Sequence, residues 1–192
     1  MSVAARHLTL RLAPLRAALA ALAVLAVVAA PCQARDVESK EKAALETTIA
    51  DFDAAMRDSK YDRVVAAIPP KVIANLAKKG GLEPEAMKTM VVSMMQAMMT
   101  DVKIEAFGMD VPKTEYKSLA NGTPYALIPT RTVVAAKAAG RFEQKSHTLA
   151  LIDDGKWYLV RVSEVAQLAI VKEVYPEFAG VEFPRGSMEV LK

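Results

Sequence analysis

The chain has 192 residues, 53% hydrophobic and 24% charged, a balance that excludes a disordered or collagen-like polymer and suits one packed domain. Its single cysteine, Cys32, excludes an intrachain disulfide framework and a cysteine zinc cluster. The formal charge of +3 rests on Arg6, Arg11 and Arg16; residues 35–192 hold 22 basic and 22 acidic side chains, so nothing in the charge argues for nucleic acid.

The first 34 residues read as an export signal. Three arginines and no carboxylate precede an uninterrupted apolar run at 17–30, and Pro31-Cys32-Gln33-Ala34 leads at once into charged Arg35 and Asp36. A cationic start, a short apolar core and small residues at −3 and −1 predict cleavage after Ala34. The run of 14 is short of the roughly 20 residues that a membrane span needs. The expected product is an exported domain, periplasmic or extracellular, with no cysteine and no membrane span after processing. An uncleaved anchor is the alternative. Lipidation of Cys32 fits less well, because Pro31 stands where a small residue is wanted.

The first element of the mature part is a helix from Ser39, read as its cap, to about Ser59. Leu45, Ile49, Phe52 and Met56 fall on one apolar stripe, with Asp51, Asp53, Arg57 and Asp58 off it. A short helix over 62–68 is stopped by Pro69-Pro70, and another over 71–79 by Gly80-Gly81. Pro84 opens a methionine-rich helix running to about Thr100. After Asp101 the period changes to two, which predicts strands at 102–107, 114–120, 124–135, 141–152 and 157–162. Asn121-Gly122 and Asp154-Gly155 mark two-residue hairpin turns. Pro129 points to an edge position or a bulge. Ser163 is read as the cap of a last helix with Val165, Leu168, Val171 and Tyr175 on one face, ended by Pro176; the tail beyond reads as irregular. Helices first and an antiparallel meander after them define an α+β fold: N-terminal helical segment 39–101, curved sheet 102–163, C-terminal helix and tail 164–192.

Tyr61-Asp62, Pro70-Lys71-Val72-Ile73, the Gly80-Gly81 stop, the methionine helix, Asp154-Gly155-Lys156-Trp157-Tyr158 and Val174-Tyr175-Pro176-Glu177-Phe178 span most of the mature chain. In these the chain resembles the NTF2-like (cystatin-like) cone superfamily, and among it a group of secreted bacterial domains. The resemblance implies helices packed on a curled antiparallel sheet around a concavity. The extra C-terminal helix and tail depart from a minimal cone. Enzymes of the wider superfamily use an acid or a histidine inside the cone, and no residue here matches those positions.

The methionines are the most unusual feature. Met87, Met90, Met94 and Met98 lie with Val91 on one narrow stripe, flanked by Met95 and Met99, opposite Thr89, Ser93, Gln96 and Thr100. Three readings stand: a core-facing stripe of gap-filling side chains, an adaptable apolar groove, or a Cu(I) site of thioethers. The first is favoured. His147, the one mature histidine, shares a polar strand face with Arg141, Glu143, Lys145 and Leu149 and reads as solvated. Asp153-Asp154 is explained by its turn, and Asp51 and Asp53 diverge on their helix. One of Trp157 and Tyr158 packs inward. Metalloprotease, P-loop, dinucleotide and serine-hydrolase motifs are absent from the sequence.

The expectation is a non-catalytic domain, without cofactor, that binds a small apolar ligand or an envelope protein between helices and sheet. Met90, Met94, Met98, Tyr125, His147 and Trp157 are its candidate ligand contacts. The alternatives are a cofactor-free cone-type hydrolase or isomerase, using Glu143 or Glu105 with Tyr125 or His147, and a structural factor of envelope assembly.

Overall fold

A computed structural model describes residues 35–192. The expected export segment, the cut after Ala34 and the Cys32 alternative lie outside the described residues.

The N-terminal elements are α1 (Ser39–Arg57), α2 (Tyr61–Ala66), α3 (Pro70–Gly80) and α4 (Pro84–Met98). Six strands follow: β1 (Val102–Met109), β2 (Glu115–Ser118), β3 (Pro124–Ala136), β4 (Gly140–Asp153), β5 (Lys156–Arg161) and β6 (Ser187–Leu191). The helix α5 (Val165–Val174) lies between β5 and β6. The protein is α+β, with the helices ahead of a curved antiparallel sheet and a short helix near its C-terminus.

Local chemistry sets most boundaries. Glu38, not Ser39, occupies the cap of α1, because Glu41 reaches back to accept the Glu38 N–H at 2.9 Å. Pro70 and Pro84 are the first residues of α3 and α4. Gly81 ends α3 at φ 65°. Asp154 and Gly155, at φ 47° and 73°, form the tight turn between β4 and β5. The loop at Asn121-Gly122 is wider than expected: it spans 119–123, closed by Leu119 N–H donating to the Thr123 carbonyl, while Asn121 Oδ1 accepts from Thr123 N–H. Glu164 rather than Ser163 caps α5, and Val165 is exposed.

The sheet is built on two long central strands, β3 and β4, paired from Tyr125↔Leu151 to Ala136↔Gly140. Each outer margin is shared by two short strands. On β3, β2 covers Pro124–Leu127 and β1 covers Thr130–Ala136. On β4, β5 covers Thr148–Asp153 and β6 covers Arg141–Lys145. This arrangement explains Pro129 inside a central strand. Its carbonyl accepts from Asp110 N–H at 2.8 Å, so its missing N–H faces the gap where β2 has ended and β1 has not begun. The strand β6 corrects the expectation of an irregular tail. Its signal was five residues long, Met188 and Val190 alternating with Glu189.

Both faces of the sheet are covered. Leu45, Ile49 and Phe52 of α1 pack on Ala126, Ile128, Ala150, Trp157 and Leu159. The opposite face, with Tyr125, Leu127, Leu149 and Leu151, takes Val72 of α3, Val171 of α5, Tyr175 and Phe178. The helix α4 packs on α2 and α3 through Met87, Val91, Val92 and Met95, against Val65, Ile73 and Ala77. The expected core-facing stripe is therefore corrected. Met87 is buried, but Met90, Met94 and Met98 are 41%, 60% and 56% exposed. The buried face is turned toward Val92 and Met95, because α2 and α3, not the sheet, are the partners of α4.

Candidate functional site

The helix α1 ends beside β1, and between them lies a cleft of about 410 Å³. Its walls include Met56 and Arg57 of α1, Tyr61 of α2, Met99 after α4, and the margin of β1 that does not pair with β3. Local distortions shape both walls. Ser59 closes α1 in the left-handed region at φ 55°, and Lys60 N–H returns to the Ala55 carbonyl at 2.9 Å. On β1 the register steps from Ile104↔Val134 to Ala106↔Val133, so Glu105 is an extra residue at a bulge. Phe107 anchors the wall against Phe52, ring centroids 5.8 Å apart.

Asp53 lines this cleft and is its most informative group. It is half-buried, and its Oδ1 is shielded from solvent with no hydrogen-bond partner among the described residues. Burial pushes its carboxyl up from the usual range, while Arg57, one turn on, pulls it down. An unsatisfied shielded carboxylate oxygen costs stability unless something meets it. In the sequence Asp53 falls off the apolar stripe of α1. The signal that could have found it is its spacing: Asp53 sits four residues after Ile49 and next to Phe52, at the margin of the buried face.

The candidate contacts do not converge. Tyr125 packs on the α5 side of the sheet and Trp157 on the α1 side. Trp157 is the inward member of its pair, its Nε1 donating to the Glu41 carbonyl at 2.9 Å. His147 faces the Tyr125 side, between exposed Lys145 and buried Leu149. It is half-buried rather than solvated, Nδ1 has no partner among the described residues, and burial pushes its pKa down against the pull of Glu115. Met90, Met94 and Met98 stand on the outer face of α4.

The two glutamates of the enzyme alternative are already committed to cations. Arg141 Nη2 donates to Glu105 at 2.8 Å and holds it below the usual carboxylate range. Lys145 and Arg131 do the same to Glu143. Neither is a poised acid. Asp153, read as turn chemistry, is instead 5% exposed and accepts from Lys71 Nζ at 2.5 Å and from Tyr175 Oη at 3.0 Å. Burial foremost, then the bond to Asp153, drives the Tyr175 phenol far above its ordinary value. Each oxygen of Asp153 thus has a donor, and the cluster ties α3 and the end of α5 to the sheet.

Among the described residues no group of three or more His, Cys, Asp or Glu could hold a metal, and no helix is long and apolar enough to cross a membrane. Compared with family models, curated proteins and solved structures, the chain matches none.

Proposed function

We propose that this is an exported, cone-like binding domain whose site is the cleft between α1 and β1. Its ligand is a small amphipathic molecule with a hydrogen-bond donor or cationic head. The observation that carries this reading is Asp53: a cleft-lining carboxylate with a shielded, unpartnered oxygen. The donor head meets the part of the Asp53 carboxylate that lines the cleft, and Met56, Ile104 and Phe107 offer the apolar part of the ligand a flexible wall. Unpaired N–H and C=O groups on the free margin of β1 add backbone partners.

A second reading is a cofactor-free enzyme of the cone type. The upward shift of the Asp53 carboxyl favours it, because a general acid or base is tuned in this direction by burial.

The test is a thermal-shift and NMR screen of amphipathic amines against chain-matched alcohols and carboxylates. Binding should favour the amines, perturb the backbone resonances of 102–107, and weaken at least tenfold in Asp53→Asn. A ligand at 100 times its dissociation constant stabilises a fold by about 2.7 kcal/mol, well within detection. Equal binding by carboxylates, or by Asp53→Asn, would overturn the assignment. Turnover of a bound compound, lost in Asp53→Asn, would select the enzyme.

A further inference from the structure

We infer that the cleft between α1, α2 and β5 is a second binding site, for a small zwitterion: a carboxylate and an ammonium on one apolar body, the chemistry of a hydrophobic amino acid. The inference is independent of Asp53, because this cleft shares no lining residue with the one between α1 and β1.

The cleft has a volume of about 440 Å³, within the roughly 300–1,000 Å³ usual for small-molecule sites. Three elements close on it. Thr48, Asp51 and Phe52 line it from α1, at spacings of three and four that put them on one side of the helix. Arg63 comes from α2, and Lys156 and Trp157 from the start of β5. Phe52 and Trp157 also belong to the core that holds α1 on the sheet, so the aromatic part of the wall is fixed in place.

The charges select the ligand. Asp51 stands on one wall and Arg63 and Lys156 on the other two, all three exposed. Among the described residues none of them makes an ion pair, with each other or with any other group. Opposite charges that line one cleft without meeting leave room for a molecule that carries both signs. Its carboxylate takes the forked guanidinium of Arg63 and the ammonium of Lys156, and its own ammonium takes Asp51. Its apolar part lies along Phe52 and Trp157.

The margin of β5 adds backbone partners and limits size. Lys156 pairs with Asp153 across the two-residue turn, so Trp157 and Leu159 turn their N–H and C=O groups away from β4. The Leu159 N–H meets the Ala67 carbonyl at 2.8 Å, which closes the margin to an added strand. Trp157, two residues earlier, presents its backbone pair at the cleft, where one small molecule can use it.

The experiment is an NMR titration of the ¹⁵N-labelled protein, with affinity read at the backbone amide of Trp157. The probes are L-phenylalanine, phenylacetate, which lacks the ammonium, and 2-phenylethylamine, which lacks the carboxylate. L-Phenylalanine should bind at least fivefold more tightly than either. Arg63→Gln/Lys156→Gln should weaken both L-phenylalanine and phenylacetate at least tenfold. Asp51→Asn should weaken L-phenylalanine at least threefold and leave phenylacetate bound as tightly as before or more so. The three positions are exposed, so the urea midpoints of these variants should match the parent, and Asp53→Asn should bind L-phenylalanine as the parent does. Absence of a saturable Trp157 shift at about 10 mM L-phenylalanine would overturn the site. So would shifts confined to 102–107, affinity within twofold of the parent in Arg63→Gln/Lys156→Gln, or equal binding of L-phenylalanine and either single-charge probe.

Discussion

Asp53 is a half-buried carboxyl whose ionisation works against the fold. An acid whose folded pKa lies above its unfolded pKa binds its proton more tightly when folded. Ionisation therefore penalises the folded state at every pH above the folded value, and the penalty fades as pH falls through it. Asp53→Asn keeps the shape and removes the charge. It should raise stability at pH 7, and the gain should shrink as pH falls through the carboxylate range. Urea melts of both proteins across that range measure this. A variant less stable than the parent at pH 7 would mean that Asp53 has a stabilising partner and is no unsatisfied acceptor. Glu41 supplies the contrasting sign. Its hydrogen bond from Arg35 holds it at about 2, so its small contribution is present above the ordinary carboxylate range and is lost in acid.

At the scale of elements, α4 separates pattern from partner. Its buried side is set by Val65, Ile73 and Ala77, and Met87 enters that cluster while Met94 does not. Met87→Asp should cost several kcal/mol, since it buries an unpaired carboxylate; Met94→Asp should stay within about 0.5 kcal/mol of the parent. Equal losses for both in urea denaturation would mean that the orientation of α4 is wrong. The start of α4 was legible in Pro84, but its orientation was not, because methionines occur on more than one of its sides and apolar periodicity then marks no single face. The same distinction holds elsewhere. The Asp154-Gly155 turn and the Gly81 stop were legible because a positive φ leaves few residue choices. The strand β6 was not, since five residues of alternation mean little until β4 offers an unpaired margin at Arg141–Lys145. Asp53 was missed for a related reason: the sequence put it beside the apolar stripe of α1, and only the approach of β1 turned that margin into a cleft.

The whole molecule depends on holding helices to both faces of one sheet, and the α5 side is fastened by a polar clamp. Asp153, at the end of β4, joins Lys71 of α3, 82 residues earlier, to Tyr175 at the end of α5, 22 residues later. The Lys71 ammonium also lies 5.6 Å from the Tyr175 ring centroid. The residues of the sequence resemblance around Lys71, Asp154 and Tyr175 thus meet, or border, one junction. The partners are unequally exposed: Lys71 is largely in solvent, while Asp153 and Tyr175 are buried. An ion pair with one exposed end is worth little in itself, but a buried carboxylate deprived of its donors is costly. The substitutions should therefore rank by what they strand. Asp153→Ala leaves the Tyr175 hydroxyl buried without its acceptor and opens a small void, at a cost of about 2–4 kcal/mol. Tyr175→Phe loses one bond to a charged group, about 1.5–3 kcal/mol. Lys71→Met retains the aliphatic packing and should cost about 1 kcal/mol, because water can reach the exposed end of the pair. In Asp153→Asn the amide oxygen can still accept from Tyr175, so adding Lys71→Met to that variant should cost less than it does in the parent; the shortfall in a double-mutant cycle measures the coupling. Urea denaturation of the four single variants and the one double variant provides these values. If Asp153→Ala and Tyr175→Phe both fall within 0.5 kcal/mol of the parent, the apolar contacts of Val72, Val171 and Phe178 hold α3 and α5 to the sheet unaided, and the clamp has no structural role.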